Sequence, residues 1–146
     1  MDAKAGARER LERDREQLIA LSHRIHAHPE VGFEEERAAD WLCGDLADAG
    51  FAVTRGVGDL PTAFVARAGS GPLHVAFCAE YDALPGIGHA CGHNMIAAMA
   101  VRAAAAAARV ADEVGLTVSV IGTPAEEGGG GKILLLDRGV FAGVHA

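Results

Sequence analysis

The sequence predicts an α/β fold in which a largely parallel or mixed sheet is flanked by helices. Two nearly continuous apolar runs, residues 73–79 and 116–121, are typical of strands that are covered on both faces. The alanine-rich segment between them, residues 94–110, has helical composition and almost no polar face. Strand, helix and strand at this spacing form a βαβ unit, in which the two strands are parallel.

The first half of the chain predicts two helices and two short strands. Apolar residues recur at helical spacing over residues 11–25, until Pro29 ends the pattern. A second amphipathic helix is predicted over residues 34–49. Short β-like runs follow at residues 51–54 and 62–66, bounded by glycine and proline.

Two unusual loops follow the two strands of the βαβ unit. The first loop covers residues 80–93 and the second covers residues 123–131, which lead into a short helix over residues 132–138. Because the carboxyl ends of parallel strands meet at the same edge of a sheet, both loops are expected at one edge. Ligands bind at this edge in open parallel sheets, so the loops predict a functional site.

Composition excludes several classes of protein. The chain has 146 residues, the usual size of one domain, and a formal net charge of −7. This acidic balance argues against nucleic acid or an anionic membrane as the partner, and no apolar run reaches the roughly 20 residues that span a bilayer. Three cysteines are too few for a disulfide scaffold, which favours a reducing compartment and a cytoplasmic location.

The first loop contains potential metal ligands. Cys91 and His93 flank a glycine, and residues two apart in an extended segment point the same way. Thiolate and imidazole together suit zinc and other borderline transition metals. The loop therefore predicts a metal site.

The second loop contains two adjacent carboxylates. Glu126 and Glu127 precede four glycines. Adjacent side chains are expected to diverge, so that one can ligate a metal while the other acts as a general base toward water. This division of labour is typical of metal-assisted hydrolysis.

The two loops also allow other interpretations. Cys91 and His93 could instead serve a cysteine hydrolase, although residues two apart rarely form a nucleophile–base pair. A phosphate-binding loop ending at Lys132 would need glycine where Glu126 stands and serine or threonine where Ile133 stands. Individually, a buried thiol, a loop histidine and a solvated glutamate pair are ordinary features, and their placement at one sheet edge favours the joint interpretation as a metal site.

Several polar or aromatic side chains outside the two loops are predicted to be structural. His74 lies inside a strand and is expected to be a hydrogen-bonded core histidine. Arg102 is expected to extend from its helix toward solvent, and Trp41 to pack.

Three ordered motifs resemble the M20 metallopeptidases and amidohydrolases. They comprise residues 79–85, 89–94 and 123–128, and residues 21–33 also resemble the opening helix of the branch that contains aminobenzoyl-glutamate hydrolases and M20 dipeptidases. The resemblance implies that residues 1–146 form the N-terminal part of a zinc-peptidase-like catalytic domain, without the lid domain of the family.

The resemblance also implies roles for individual residues. Cys91, His93 and Glu127 fall on metal ligands, Glu126 on the general base, and Asp82 on an aspartate that orients a ligand histidine. The implied cofactor is one or two divalent ions, with zinc first and manganese, cobalt or nickel as alternatives.

The implied reaction is hydrolysis of amide bonds in small dipeptides or N-acyl amino acids by metal-activated water. Full-length relatives are expected to be homo-oligomeric, and this chain alone is expected to be a truncated, inactive part of such an enzyme. Glu80 stands where other branches have a metal-binding histidine, so its role stays open. His145 is a further ligand candidate, but it comes earlier than the family's ligand.

Overall fold

The chain forms a four-stranded mixed sheet with helices on both sides. The computed structural model describes residues 2–146. Within them the helices are α1 (Ala3–Arg13), α2 (Arg15–His26), α3 (Glu36–Asp48), α4 (His93–Ala108), α5 (Ala111–Val114) and α6 (Gly131–Asp137). The strands are β1 (Ala52–Arg55), β2 (Phe64–Gly69), β3 (Leu73–Ala79) and β4 (Leu116–Gly122), and a short 3-10 helix covers Val57–Asp59.

The sheet confirms the predicted βαβ unit. Its strand order is β1-β2-β4-β3, and β3 pairs with β4 in parallel, from Leu73 opposite Leu116 to Ala79 opposite Gly122. The pairs β1–β2 and β2–β4 are antiparallel. The predicted mixed α/β architecture is therefore confirmed.

Both faces of the central strand β4 are buried. Val118 and Val120 belong to the main core, in which α3 and α4 pack on the sheet and α2 packs on α4. Ile121 points to the other face, where it packs with Leu135 of α6 in a smaller cluster. This burial on two sides explains the continuous apolar sequence of the strand.

The N-terminal region differs from the prediction. The single helix predicted over residues 11–25 is two helices, because α1 and α2 meet at Asp14. Gly6 is the one buried residue of α1, so this helix has no apolar stripe that periodicity could reveal. No helix within residues 2–146 has both the length and the apolar character needed to cross a membrane.

Two buried polar side chains of the core are paired. The prediction that His74 is a hydrogen-bonded core histidine is confirmed, because its Nε2 lies 2.8 Å from Ser119 Oγ. The prediction that Arg102 reaches solvent is wrong, since this residue is only 5% exposed. Its guanidinium lies against the carboxylates of Asp14 and Asp45, which compensate the buried charge.

Candidate metal centre

The two loops leave the sheet side by side, as predicted. Ala79 and Gly122 are register partners at the carboxyl ends of β3 and β4. Thr123 extends this contact, because its N–H donates to the carbonyl of Ala79 at 2.8 Å and its hydroxyl donates to the same oxygen at 3.1 Å. The side chains that follow each strand are thereby brought to one edge of the sheet.

His93 lies at the centre of this edge. It is the first residue of α4 and is 4% exposed. Its Nδ1 lies 2.9 Å from the carbonyl oxygen of Asp82 and 3.0 Å from Asp82 Oδ1. Both partners are acceptors, so Nδ1 carries a hydrogen, and Nε2 on the other side of the ring is the nitrogen that could bind a metal.

Three carboxylates surround Nε2 of His93. The distances from Nε2 are 3.5 Å to Glu80 Oε2, 3.6 Å to Glu127 Oε1 and 3.7 Å to Glu126 Oε2. Ligand atoms of Glu80, His93 and Glu126 all lie within 4.8 Å of one another. We call these residues, together with Glu127, the His93 cluster.

The His93 cluster has the chemistry and spacing of a cation site. Two ligand atoms that are each about 2.1 Å from a tetrahedral ion lie about 3.4 Å apart, close to the spacing between Nε2 and the carboxylate oxygens. The carboxylates of Glu80, Glu126 and Glu127 carry like charges and converge on one ring nitrogen. A divalent cation would convert these repulsions into attractions, so the residues fit a metal ion.

Glu80 is a site residue whose role the sequence left open. It directly follows the last residue of β3, and this position at the carboxyl end of a parallel strand was the signal that could have identified it. Its Oε1 accepts a hydrogen bond from Nζ of Lys132 at 2.5 Å, while its Oε2 faces His93. Lys132 therefore neutralises part of the cluster's charge, a different role from binding a phosphate.

Cys91 lies at the rim of the cluster. It is exposed, and the neighbouring carboxylate of Glu127 raises the pKa of its thiol. The prediction that residues 91–93 are extended is wrong, because Gly92 adopts a left-handed conformation with φ of 80° and is the N-cap of α4, which begins at His93. A raised pKa disfavours the thiolate nucleophile that a cysteine hydrolase requires.

Glu126 and Glu127 converge, so the prediction that their side chains diverge is wrong. Both reach within 3.7 Å of the same nitrogen of His93. Ala125 before them has a φ of 54°, and the N–H of Glu127 donates to Asp82 Oδ2 at 3.1 Å. The left-handed turn and this hydrogen bond direct both side chains toward His93.

His145 lies at the opposite end of β3 from the cluster. Its Nδ1 accepts a hydrogen bond from the N–H of His74 at 3.0 Å. His74 stands five residues, about 16 Å of strand, before Ala79. In this structure His145 therefore does not join the His93 cluster.

A cleft of about 530 Å³ opens beside Cys91. Its wall includes His23 and His26 of α2 and His89 of the first loop. The ring of His89 is 6.2 Å from that of His26, and burial lowers the pKa of His89. The cleft gives a small molecule a route to the rim of the cluster.

Comparison with known proteins relates the chain to peptidases. Residues 76–146 match the family model described as Peptidase family M20/M25/M40. The chain is 47% identical over 154 residues to Xaa-Arg dipeptidase of Mus musculus, covering 94% of this chain and 35% of that protein. It is 39% identical over 155 residues to one of the subunits of p-aminobenzoyl-glutamate hydrolase from Escherichia coli (strain K12), covering 93% of this chain and 32% of that protein.

A solved structure shows a similar fold. A dinuclear metal-binding peptidase of the M20 family from Bacillus subtilis superposes with a TM-score of 0.70 at 26% identity, covering 88% of this chain and 40% of that one. The chain thus spans about a third of the length of the curated relatives it matches.

Proposed function

Since residues 76–146 belong to the M20/M25/M40 peptidase family, we propose that this chain provides the N-terminal part of a metal-dependent hydrolase that cleaves amide bonds. The proposed substrates are small dipeptides or N-acyl amino acids. Residues 1–146 would form the first part of the catalytic domain, in keeping with the share of the relatives that the chain spans. Hydrolysis is accordingly proposed for the longer protein and not for this chain alone.

The observation that carries the proposal is the convergence of three carboxylates on Nε2 of His93. The three glutamates come from two loops at the carboxyl edge of the sheet. An imidazole whose other nitrogen is held by a carboxylate is the usual arrangement of a metal-ligating histidine.

We propose that His93, Glu127 and Cys91 hold the ion, with Glu80 as an additional ligand. Thiolate, imidazole and carboxylate suit zinc first, with manganese, cobalt and nickel as alternatives. Two ions are a reasonable number to test, because the similar Bacillus subtilis peptidase is described as dinuclear. A bound divalent ion supplies Lewis acidity and lowers the pKa of water to about 7.

The side chains of this chain would handle the protons. Glu126 is the most exposed carboxylate of the cluster, with 41% of its side chain accessible, so it can meet both water and a substrate. We assign it as the general base that removes a proton from the attacking water and returns it to the leaving amine. Asp82 accepts the Nδ1 hydrogen of His93 and so orients the ring with Nε2 toward the cluster.

The proposed partners follow from the chemistry of the site. The cleft beside Cys91 accommodates a small molecule, and the curated relatives are named for a dipeptide and an acyl-amino acid substrate. The net charge of −7 supports a partner other than nucleic acid or an anionic membrane. Three unpaired cysteines support a reducing, cytoplasmic location, and assembly into homo-oligomers is part of the proposal for the full-length protein.

The test is Glu126→Gln in the longer protein that contains this chain. We expect hydrolysis of dipeptides and N-acyl amino acids to fall by at least about a hundredfold, the usual contribution of a general base, while zinc content stays at the wild-type value. Glu127→Gln is the matched control, for which zinc content should fall as well. Activity of Glu126→Gln near the wild-type value would refute the base assignment.

A further inference from the structure

The segment that links α2 to α3 contacts both loops of the metal centre. We call residues 29–35 the connector. On the first loop, the N–H of Ala83 donates to the carbonyl of Glu30 at 2.8 Å, and Val31 forms an isolated parallel bridge with Ala83. On the second loop, a β-carbon added at Gly32 would lie 2.8 Å from Cβ of Ala125. The connector therefore lies directly against Ala125.

Glu35 ends the connector and is completely buried, with 0% exposure. Its Oε1 accepts a hydrogen bond from the N–H of Ala125 at 2.8 Å, and its Oε2 accepts one from the hydroxyl of Thr62 at 3.0 Å. Removing a carboxylate from water is costly unless hydrogen bonds compensate for the loss of hydration. Glu35 has two such hydrogen bonds, and one of them comes from a residue 90 positions along the chain.

Ala125 is the point at which the second loop turns. Its φ of 54° lies in the left-handed region, which is unfavourable for a residue with a β-carbon. The residue is buried, so its N–H must find a partner inside the protein, and Glu35 is that partner. Glu126 and Glu127 follow at once, and their direction depends on this turn.

We propose that Glu35 is a positioning residue for the metal centre. By accepting the hydrogen bond from Ala125, it fixes the left-handed turn that brings Glu126 and Glu127 to His93. The inference rests on the proposed function in one respect, namely that the His93 cluster binds a divalent ion. Glu35 itself does not touch that ion.

Co²⁺ titration of the 146-residue chain tests this role, because the visible absorption of Co²⁺ reports the geometry of its ligands. Glu35→Gln keeps an oxygen acceptor for Ala125 and should retain the spectrum and an affinity within about threefold of the wild type. Glu35→Met has similar length but no comparable acceptor. It should weaken Co²⁺ binding by about ten- to a hundredfold, the usual effect of losing a group that orients a ligand, and should change the spectrum.

Thr62→Val is the matched control. It removes the other hydrogen bond of Glu35 and leaves the bond to Ala125 in place. It also preserves the hydrogen bond from the Tyr81 hydroxyl, since that bond is accepted by the backbone oxygen of Thr62. We expect Thr62→Val to lower the unfolding temperature but to bind Co²⁺ with an unchanged spectrum.

The outcomes separate this proposal from the proposed function. Equal Co²⁺ affinity and spectrum in the wild type and in Glu35→Met would overturn the positioning role alone. Equal losses in Thr62→Val and Glu35→Met would also overturn it, because they would indicate a general effect on folding. No Co²⁺ binding by the wild type would overturn the metal centre and the positioning role together. If Glu35→Met does not fold, Glu35→Asp replaces it, because the shorter side chain withdraws the carboxylate by one methylene. We expect the same loss of Co²⁺ affinity for this variant.

Discussion

Asp82 holds His93 through two contacts on the same ring nitrogen, from its backbone oxygen at 2.9 Å and from its carboxylate Oδ1 at 3.0 Å. The second carboxylate oxygen, Oδ2, accepts the N–H of Glu127 at 3.1 Å. One buried aspartate therefore connects the histidine that begins α4 to the glutamate that follows β4. This relationship allows one side chain to set the spacing of two proposed ligands.

Asp82→Asn should weaken metal binding without unfolding the chain. His93 and Glu127 contact different oxygens of Asp82, and asparagine replaces one of these acceptors with an NH2 donor. We expect the affinity for Zn²⁺ to fall by about tenfold or more, measured by competition with a chelating dye. Unchanged affinity in a folded variant would mean that the backbone oxygen of Asp82 is sufficient to orient His93.

Glu80→Gln tests the ligand that the structure added to the predicted set. Because Glu80 Oε2 faces Nε2 of His93, we expect Zn²⁺ affinity to fall by about five- to tenfold in titration calorimetry. Glu113→Gln in α5 is the control, since it removes the same charge near the amino end of β4, away from the cluster. Equal effects of the two substitutions would indicate that Zn²⁺ affinity depends on net charge alone and not on Glu80 as a ligand.

Metal should protect Cys91 from alkylation. In the metal-free chain at pH 8, iodoacetamide should modify the exposed Cys91 before Cys43, which is buried and has its pKa raised to about 11 by burial. Zn²⁺ should slow the modification of Cys91, as measured by mass spectrometry. A rate that Zn²⁺ leaves unchanged would remove Cys91 from the ligand set.

The stability of the metal-free chain should depend on the charge of Glu35. Burial raises the pKa of Glu35 above 4.5, so the folded state holds its proton more tightly than the unfolded state. The stability gained from this proton is complete below pH 4.5 and is lost as the pH rises through the folded-state pKa. The urea midpoint of the wild type should therefore fall relative to that of Glu35→Gln as the pH rises from 4.5 to 7. A constant difference between the two proteins would contradict the raised pKa.

Arg102→Met should destabilise the fold and leave the metal centre intact. It leaves Asp14 and Asp45 beside an apolar side chain, and breaking such a buried pair costs about 3 kcal/mol. Urea unfolding would measure this loss, and Co²⁺ absorption of the folded variant should match that of the wild type. An altered spectrum would show that the two regions are coupled.

The strands of the site could be predicted because a strand that is buried on both faces has a continuous apolar sequence. β3 was predicted with its observed bounds, and β4 ends one residue beyond the predicted run. The helix α1 has no apolar pattern in its sequence, since it buries only Gly6. The buried pairing of Arg102 was also not predictable, because Asp14 at the junction of α1 and α2 and Asp45 in α3 are distant from it in the chain.

Sequence patterns are sufficient to predict that two loops bearing carboxylates, imidazoles and a thiol leave the same edge of a parallel strand pair. The reason is that continuous apolar runs and the βαβ connection specify strand direction. Which of these side chains meet is seen only in the folded chain. The convergence of Glu126 with Glu127 follows a left-handed residue, Ala125, whose N–H is held by Glu35, and contacts between such distant residues leave no local pattern.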